Sequence, residues 1–232
     1  MSPELLITAP APASPQVLRV DFYLDLVCPW CWIGLRNLRS AWASLQPLHP
    51  ELALEMTWHA SPLLPQIPAQ GVPYQAFYEA RLGGKQAVEM RRAQIRAVAE
   101  PIGLSLNFEA IKVFPNSTLA CALVNEAQST LAPKAMEQLV DSIYSALFAQ
   151  GRDIGAVETL QALAQAAGID WDAGAASKRP PSMRSAPDGG VPHLVFNGQR
   201  SVTGAVRASE LARIMEQAVV AHRLDNERAS NA

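Results

Sequence analysis

The stretch VDFYLDLVCPWCWIGLRNL, residues 20–38, joins an apolar β-type run to a helical pattern across Cys28-Pro29-Trp30-Cys31. Residues 17–27, VLRVDFYLDLV, are rich in β-branched and aromatic side chains with partial alternation, which predicts a strand. From Cys31 onward Ile33, Leu35, Leu38, Trp42 and Leu45 trace a helical face that Pro47 ends. A strand that stops at Cys28 and a helix that begins at Pro29 put the first sulfur at a helix N-terminus. There, unpaired backbone N–H groups and the positive end of the macrodipole favour thiolate over thiol. Pro29 suits the first helical turn, where its missing N–H costs nothing. Two intervening residues set Cys31 within one turn, close enough to close a disulfide or to resolve a mixed one. Cys28 is then the attacking sulfur and Cys31 its buried partner, with Trp30 exposed between them as part of the substrate surface.

Working outward, residues 52–60 (LALEMTWHA) alternate Leu52, Leu54, Met56 and Trp58 on one face and predict a second strand. The opening is therefore β-α-β. Residues 61–73 hold four prolines and a glycine and read as a loop. Five helical segments follow: VPYQAFYEARL, KQAVEMRRAQIRAVAEPIG, NSTLACALVNEAQST, APKAMEQLVDSIYSALFAQG and GAVETLQALAQAAG, separated by Gly, Pro and Asn stops. Asn116 suits an N-cap. Residues 172–190 read as a loop or broken helix. The β signal returns with VPHLVFNG (191–198) and RSVTG (200–204) around Asn197-Gly198, a hairpin turn pair. A last amphipathic helix carries Leu211, Ile214, Met215, Ala218 and Val219 on one face, and the tail from Asp225 reads as disordered. The expected organisation is a disordered leader (1–16), a first domain from 17–60 and 185–224, and an all-helical insertion (61–184).

Bulk composition limits the function classes. A chain of 232 residues with 49% hydrophobic and 17% charged residues builds a sizeable core. Its net charge of −2 points to neither nucleic acid nor an anionic membrane surface. No run approaches ~18 consecutive apolar residues, so no membrane span is expected. The N-terminus has no Lys or Arg before Arg19, and LLIT is too short for a secretory h-region. A cytoplasmic protein is the expectation. Three cysteines in this length do not make a disulfide framework, and in a reducing compartment a close pair points to catalysis or metal.

Two other readings of the pair stand beside the redox one: half of a zinc site, or two inert thiols. Zinc needs two more Cys or His ligands. Cys121 stands alone, and His49, His59, His193 and His222 form no paired spacing, so no metal is expected. Cys121 lies in TLACALV, an apolar helical face, and reads as a buried free thiol. Trp32 reads as packing the first helix against the insertion, and Arg91, Arg92 and Arg96 as a solvated helix face. His59 is assigned no role, His193 reads equally as strand filler or as an active-site neighbour, and Asn197-Gly198 as a turn only.

CPWCWIG together with GGVPHLVFNG resembles the thioredoxin-fold DsbA family, more narrowly its FrnE-like branch. Asp25-Leu26-Val27-Cys28 fits that branch's D-x-x-CPWC opening. Residues 147–170 and FPNSTLACALVNEA (114–127) resemble its helical insert, and the likeness covers roughly residues 18–222. The resemblance implies an α/β, thioredoxin-like fold with an all-helical insertion domain. It implies a protein disulfide oxidoreductase that uses a Cys28–Cys31 disulfide as its redox-active group and binds no separate cofactor. Protein or peptide thiols and disulfides are the implied partners, with glutathione as reductant or co-substrate and neither nucleic acid nor membrane. It places a cis proline at Pro192, with the Val191 backbone open to an extended substrate. The buried acid of many thioredoxin-fold proteins lies six residues before the first cysteine. That position is Phe22 here, with Asp21 and Asp25 on either side as the proton-transfer candidates. Cys121 stands where the family often has histidine. The related 2-hydroxychromene-2-carboxylate isomerases and kappa-class glutathione transferases supply a rival activity, though they usually carry serine at the first motif position and lack the second cysteine. A non-catalytic thioredoxin-fold binding module is the third reading.

Overall fold

The computed structural model describes residues 16–178 and 183–230. Strand β1 (Gln16–Leu24) leads through a short turn to helix α1 (Pro29–Leu45), and β2 (Leu52–Ala60) returns parallel to β1. Helices α2 (Tyr74–Leu82), α3 (Lys85–Ala99), α4 (Thr118–Ala127), α5 (Pro133–Phe148), α6 (Val157–Ala166) and α7 (Ala173–Lys178) follow. Strands β5 (His193–Phe196) and β6 (Arg200–Thr203) and helix α8 (Ala208–Ser230) close the chain. The four-stranded sheet has the order β2-β1-β5-β6, with β5 antiparallel to both neighbours. This is a mixed α/β fold of the thioredoxin type.

Alternation along β1 sets the two faces of the sheet. Leu18, Val20, Phe22 and Leu24 are fully or almost fully buried, whereas Arg19, Asp21 and Tyr23 between them are half-buried or exposed. Helices α1 and α8 lie side by side, and Asn37 of α1 donates to the Val206 carbonyl at 2.9 Å at the entry to α8. On its other side α1 meets α5. Trp32 stacks against Tyr144 and Phe148 at 6.1 and 6.3 Å, and its Nε1 donates to Asp141 at 2.8 Å. Asp141 also receives Arg36 at 2.8 Å and Arg39 at 3.5 Å. One hydrophobic core runs without interruption from the sheet through α1 into α4 and α5.

Strand β2 is a sheet edge, and its outer backbone groups are paired by side chains of α4. Asn125 accepts from Ala60 N–H at 3.0 Å and donates to Ala60 C=O at 2.7 Å. Gln128 accepts from Trp58 N–H at 3.1 Å and donates to Trp58 C=O at 3.0 Å. Two amides three residues apart on a helix thus reproduce the ladder a fifth strand would supply.

Several local expectations change. The strand ends at Leu24 rather than Val27, because residues 25–28 leave the ladder for a turn closed by Cys28 N–H to Asp25 C=O at 3.1 Å. Val72–Pro73 and Val113–Phe114 pair as a small antiparallel ladder, labelled β3 and β4, inside a stretch read as loop and helix only. Ser117, not Asn116, is the N-cap of α4, although Asn116 Oδ1 still accepts Thr118 N–H at 2.9 Å. Arg91 is exposed, but Arg92 and Arg96 lie over the Phe108 ring at 5.9 and 5.3 Å and pair with Glu109, whose carboxyl Arg96 holds below its usual range. Asn197 does more than turn the chain, since it exchanges two bonds with the Arg19 backbone and donates to Ala218 C=O. Helix α8 continues to Ser230 through a tail expected to be disordered, because residues 225–230 contain neither Gly nor Pro to stop it. Of the leader, Gln16 belongs to β1, and residues 1–15 lie outside the described residues.

Asn125→Ala is expected to cost about 1–3 kcal/mol, the penalty for stranding partly buried backbone groups. Urea denaturation should show a lower midpoint with an unchanged m-value.

Candidate active site

Cys28 is the N-cap of α1, with extended backbone (φ −100°, ψ 107°) and no side chain capping the helix. Its sulfur therefore sits where the first-turn N–H groups lack intrahelical partners. The residue is 9% exposed and Cys31 is completely buried; both are free thiols. Burial and the adjacent Cys28 sulfur push the Cys31 thiol well above the ordinary cysteine range. Trp30 is half-buried against the core rather than fully exposed.

The Val191–Pro192 peptide bond is cis. Cys28 Sγ lies 3.9 Å from the Val191 carbonyl oxygen. Pro192 faces α1 at Gly34, where an added Cβ would stand 3.1 Å from Pro192 Cγ, so the glycine of CPWCWIG lets the helix approach the proline ring. The hairpin that presents Pro192 is tied down by Gly204 N–H to Pro192 C=O at 2.7 Å.

Asp25, three residues before the motif, is completely buried and close enough to Cys31 for its charge to act on the thiol. Its Oδ2 accepts Leu63 N–H at 2.7 Å and its Oδ1 accepts Val27 N–H at 3.3 Å. Ser117 hydrogen-bonds the same carboxylate, and the Cys121 sulfur stands 3.8 Å from Oδ1. Its backbone carbonyl receives Tyr144 O–H at 3.1 Å as well as Cys28 N–H. Burial raises the Asp25 carboxyl above its usual range, although the donors from Leu63, Ser117 and Val27 pull the other way.

Asp21, the other acid considered for proton transfer, is placed elsewhere. It belongs to the opposite face of β1 and pairs with His59 Nε2 at 2.7 Å. The two acids are four residues apart, but the strand ends at Leu24 and the turn that follows carries Asp25 toward Cys31 while Asp21 stays on β1. His193 likewise lies on the far face, buried, with Nδ1 2.7 Å from Thr203 Oγ1 and its ring edge-on to Tyr23. Among the described residues no group of three or more His, Cys, Asp or Glu is placed to hold a metal ion. No described helix is long and apolar enough to cross a membrane.

Sequence did not place Ser117, Tyr144 or Tyr78 near the site, and it read Cys121 as a buried free thiol, which it is, without its contact with Asp25. The Tyr144 hydroxyl is pushed well up by burial and by the charges of Cys31, Cys28 and Asp25. Burial first, and then the charge of Cys28, push the Tyr78 hydroxyl up to about 12. Cys121, Tyr144 and Tyr78 sit on helices whose pattern predicts burial but not the neighbour, and Ser117 is the N-cap of α4.

The chain belongs to the family of the DSBA-like thioredoxin domain, whose model matches residues 19–184. No curated protein matches it in sequence. Among solved structures it resembles a probable DsbA oxidoreductase from Streptomyces coelicolor, with 25% identity, 87% of this chain and 89% of that one covered, and a TM-score of 0.74. The cytosolic disulfide reductase DsbM from Pseudomonas aeruginosa, solved with GSH, is similar in fold: 14% identity, 90% and 99% covered, TM-score 0.54. A 2-hydroxychromene-2-carboxylate isomerase shares the fold at 17% identity, 92% and 99% covered, TM-score 0.50. At family level, then, the chain is a DsbA-like thiol oxidoreductase.

The raised carboxyl has a consequence for stability. The folded state holds the Asp25 proton more tightly than the unfolded chain, whose carboxyl titrates near ~3.9. Its contribution is therefore most favourable below about pH 4 and is lost as pH rises through the folded value, about 1.4 kcal/mol per unit of upward shift. Denaturation midpoints of the reduced protein across this range should fall more steeply for wild type than for Asp25→Asn. Parallel curves would show that the buried carboxyl does not titrate on folding.

Proposed function

We propose that this protein exchanges disulfides with protein or peptide substrates through Cys28 and Cys31. The observation that carries the reading is the pairing of a partly accessible thiol at a helix N-terminus with a buried one, beside the Val191 carbonyl 3.9 Å away. An extended substrate pairing with the Val191 backbone by β-addition brings its disulfide to Cys28, with Trp30 and Pro192 bordering the approach.

In the reducing direction, the Cys28 thiolate attacks one substrate sulfur. The substrate S–S bond breaks, a mixed disulfide forms at Cys28, and the first substrate thiolate leaves and takes a proton. Cys31 then loses its proton and attacks Cys28, forming the Cys28–Cys31 disulfide and expelling the second substrate thiol. Two electrons pass from the protein to the substrate, and the reverse sequence oxidises a dithiol. A thiol held protonated by burial needs a base for the second attack. Asp25 supplies it, since a carboxyl raised by the same burial is nearer in basicity to the thiol than a surface carboxylate is. Asp21, bound to His59 on the far face, has no part in this step.

The catalytic group is the cysteine pair itself, with no separate cofactor or metal. Glutathione, a peptide thiol, fits as the reductant that returns the pair to the dithiol form, and the cytoplasm is the compartment that supplies it. The glutathione-bound cytosolic reductase of the same fold supports both assignments. The presence of both cysteines favours exchange over glutathione-dependent isomerisation or transfer.

Single-cysteine variants test the division of labour. Cys31→Ser should accumulate mixed disulfides with peptide disulfides, visible by mass spectrometry, because nothing resolves the bond at Cys28. Cys28→Ser should accumulate none. Equal trapping by both would overturn the assignment of roles.

Limited iodoacetamide treatment of the reduced wild-type protein should modify Cys28 first, because it is the more accessible sulfur and burial holds the Cys31 thiol protonated. Peptide mapping that finds Cys31 modified first would reverse the order of attack.

A further inference from the structure

One buried nucleophile has no part in the exchange. Cys121 is a free thiol in the middle of α4, completely buried. Its neighbours Ala120, Ala122, Leu123 and Val124 fill the core with hydrocarbon, but its sulfur lies 3.8 Å from Asp25 Oδ1. Ser117, one helical turn earlier, hydrogen-bonds the same carboxylate, and Cys121 N–H donates to the Ser117 carbonyl at 2.8 Å. Helix α4 and its N-cap thus offer two side-chain donors, spaced i and i+4, to a carboxylate that also accepts the backbone N–H groups of Leu63, Val27 and Leu26.

We propose that Cys121 is a positioning residue for proton transfer between Cys31 and Asp25, its thiol donating to Asp25 Oδ1 and setting how tightly the carboxylate holds a proton. The inference rests on the reading of Asp25 as the base for Cys31. A donor aimed at a carboxylate favours the ionised form, and a thiol is a weak donor, so Cys121 biases the carboxylate only slightly. A hydroxyl at the same place biases it more, and a methyl group not at all. The other titratable groups facing Asp25 are Cys28 and Cys31 from α1, Tyr144 from α5 and Tyr78 from α2. They are identical in all position-121 variants, so differences among those variants report the donor alone.

The test measures single-turnover reduction of a peptide disulfide against pH, by tryptophan fluorescence, for wild type, Cys121→Ala and Cys121→Ser. The rate of the Cys31 step rises with pH as Asp25 ionises. Cys121→Ala should move the midpoint up and Cys121→Ser should move it down, each by about half a pH unit, or roughly threefold in rate on the acid limb. The initial attack of Cys28, followed by its alkylation rate, should stay within about twofold of wild type, as expected for a residue acting through Asp25. A change in core packing alone would not move a titration midpoint in opposite directions for the two variants. Cys121→Val and Cys121→Thr replace them should either fail to fold. Midpoints that shift the same way, or not at all, overturn the proposal. Asp25→Asn separates the two failures. If it abolishes the titration while the position-121 variants leave it in place, only the role of Cys121 falls. If it leaves the wild-type titration intact, Asp25 is not the base and both readings fall.

Discussion

Asp25 joins three segments that are far apart in the chain. Its carboxylate takes N–H donors from the turn that carries Cys28 and from the loop after β2, and a side-chain donor from the start of α4. Its carbonyl receives Tyr144 from α5 and the N–H of Cys28. A buried charge is tolerated only where it is hydrogen-bonded. Each of these partners is therefore constrained to arrive at one point, near enough to Cys31 for the Asp25 charge to act on its thiol. Even so, burial outweighs the donors and the carboxyl stays above its ordinary range. The same group that anchors the helices between β2 and β5 thus also places its charge near the Cys31 thiol.

Helix α1 transmits this arrangement to the rest of the molecule. Its N-terminus carries the cysteines, Gly34 admits the Pro192 ring, and Trp32 is clamped by the Tyr144 and Phe148 rings and by Asp141. Apolar burial supplies the bulk of the attraction, whereas the indole N–H and the two arginines on Asp141 set the angle at which α1 meets α5. On the far edge of the sheet, Asn125 and Gln128 hold α4 to β2 by paired backbone contacts. Cys121 lies between that edge and the N-terminus of α4, and the helix has little freedom to move its thiol away from Asp25.

The opposite face of the sheet carries a polar row of its own. His59, Tyr23, His193 and Thr203 lie in register across β2, β1, β5 and β6, with Tyr23 stacked on His59 at 4.4 Å and edge-on to His193 at 5.7 Å. Asp21 belongs to this face and is held by His59. On a continuous strand two acids four residues apart would share this face, so it is the turn after Leu24 that takes Asp25 away from Asp21 and into a separate, buried environment.

Local pattern alone was enough for the strand–C-x-x-C–helix junction, the five main helices, the Asn197-Gly198 hairpin and the proline at the entry of β5. Each rests on a short-range rule: periodicity, a helix stop, a turn residue or a fixed φ. Pro29 after Cys28 placed the sulfur at a helix N-terminus without any tertiary information. What no local pattern could supply was which buried side chains converge on the motif. Phe22 occupies the position six residues before Cys28, and only the turn after Leu24 decides that Asp25 goes toward Cys31 while Asp21 faces His59. Cys121, Tyr144 and Tyr78 looked like interchangeable members of apolar faces, because periodicity reports that a side chain is buried and is silent about its partner. Pairings that span 96 residues, as from Asp25 to Cys121, or 119, as from Asp25 to Tyr144, are set by how helices stack, and that is a property of the assembled core.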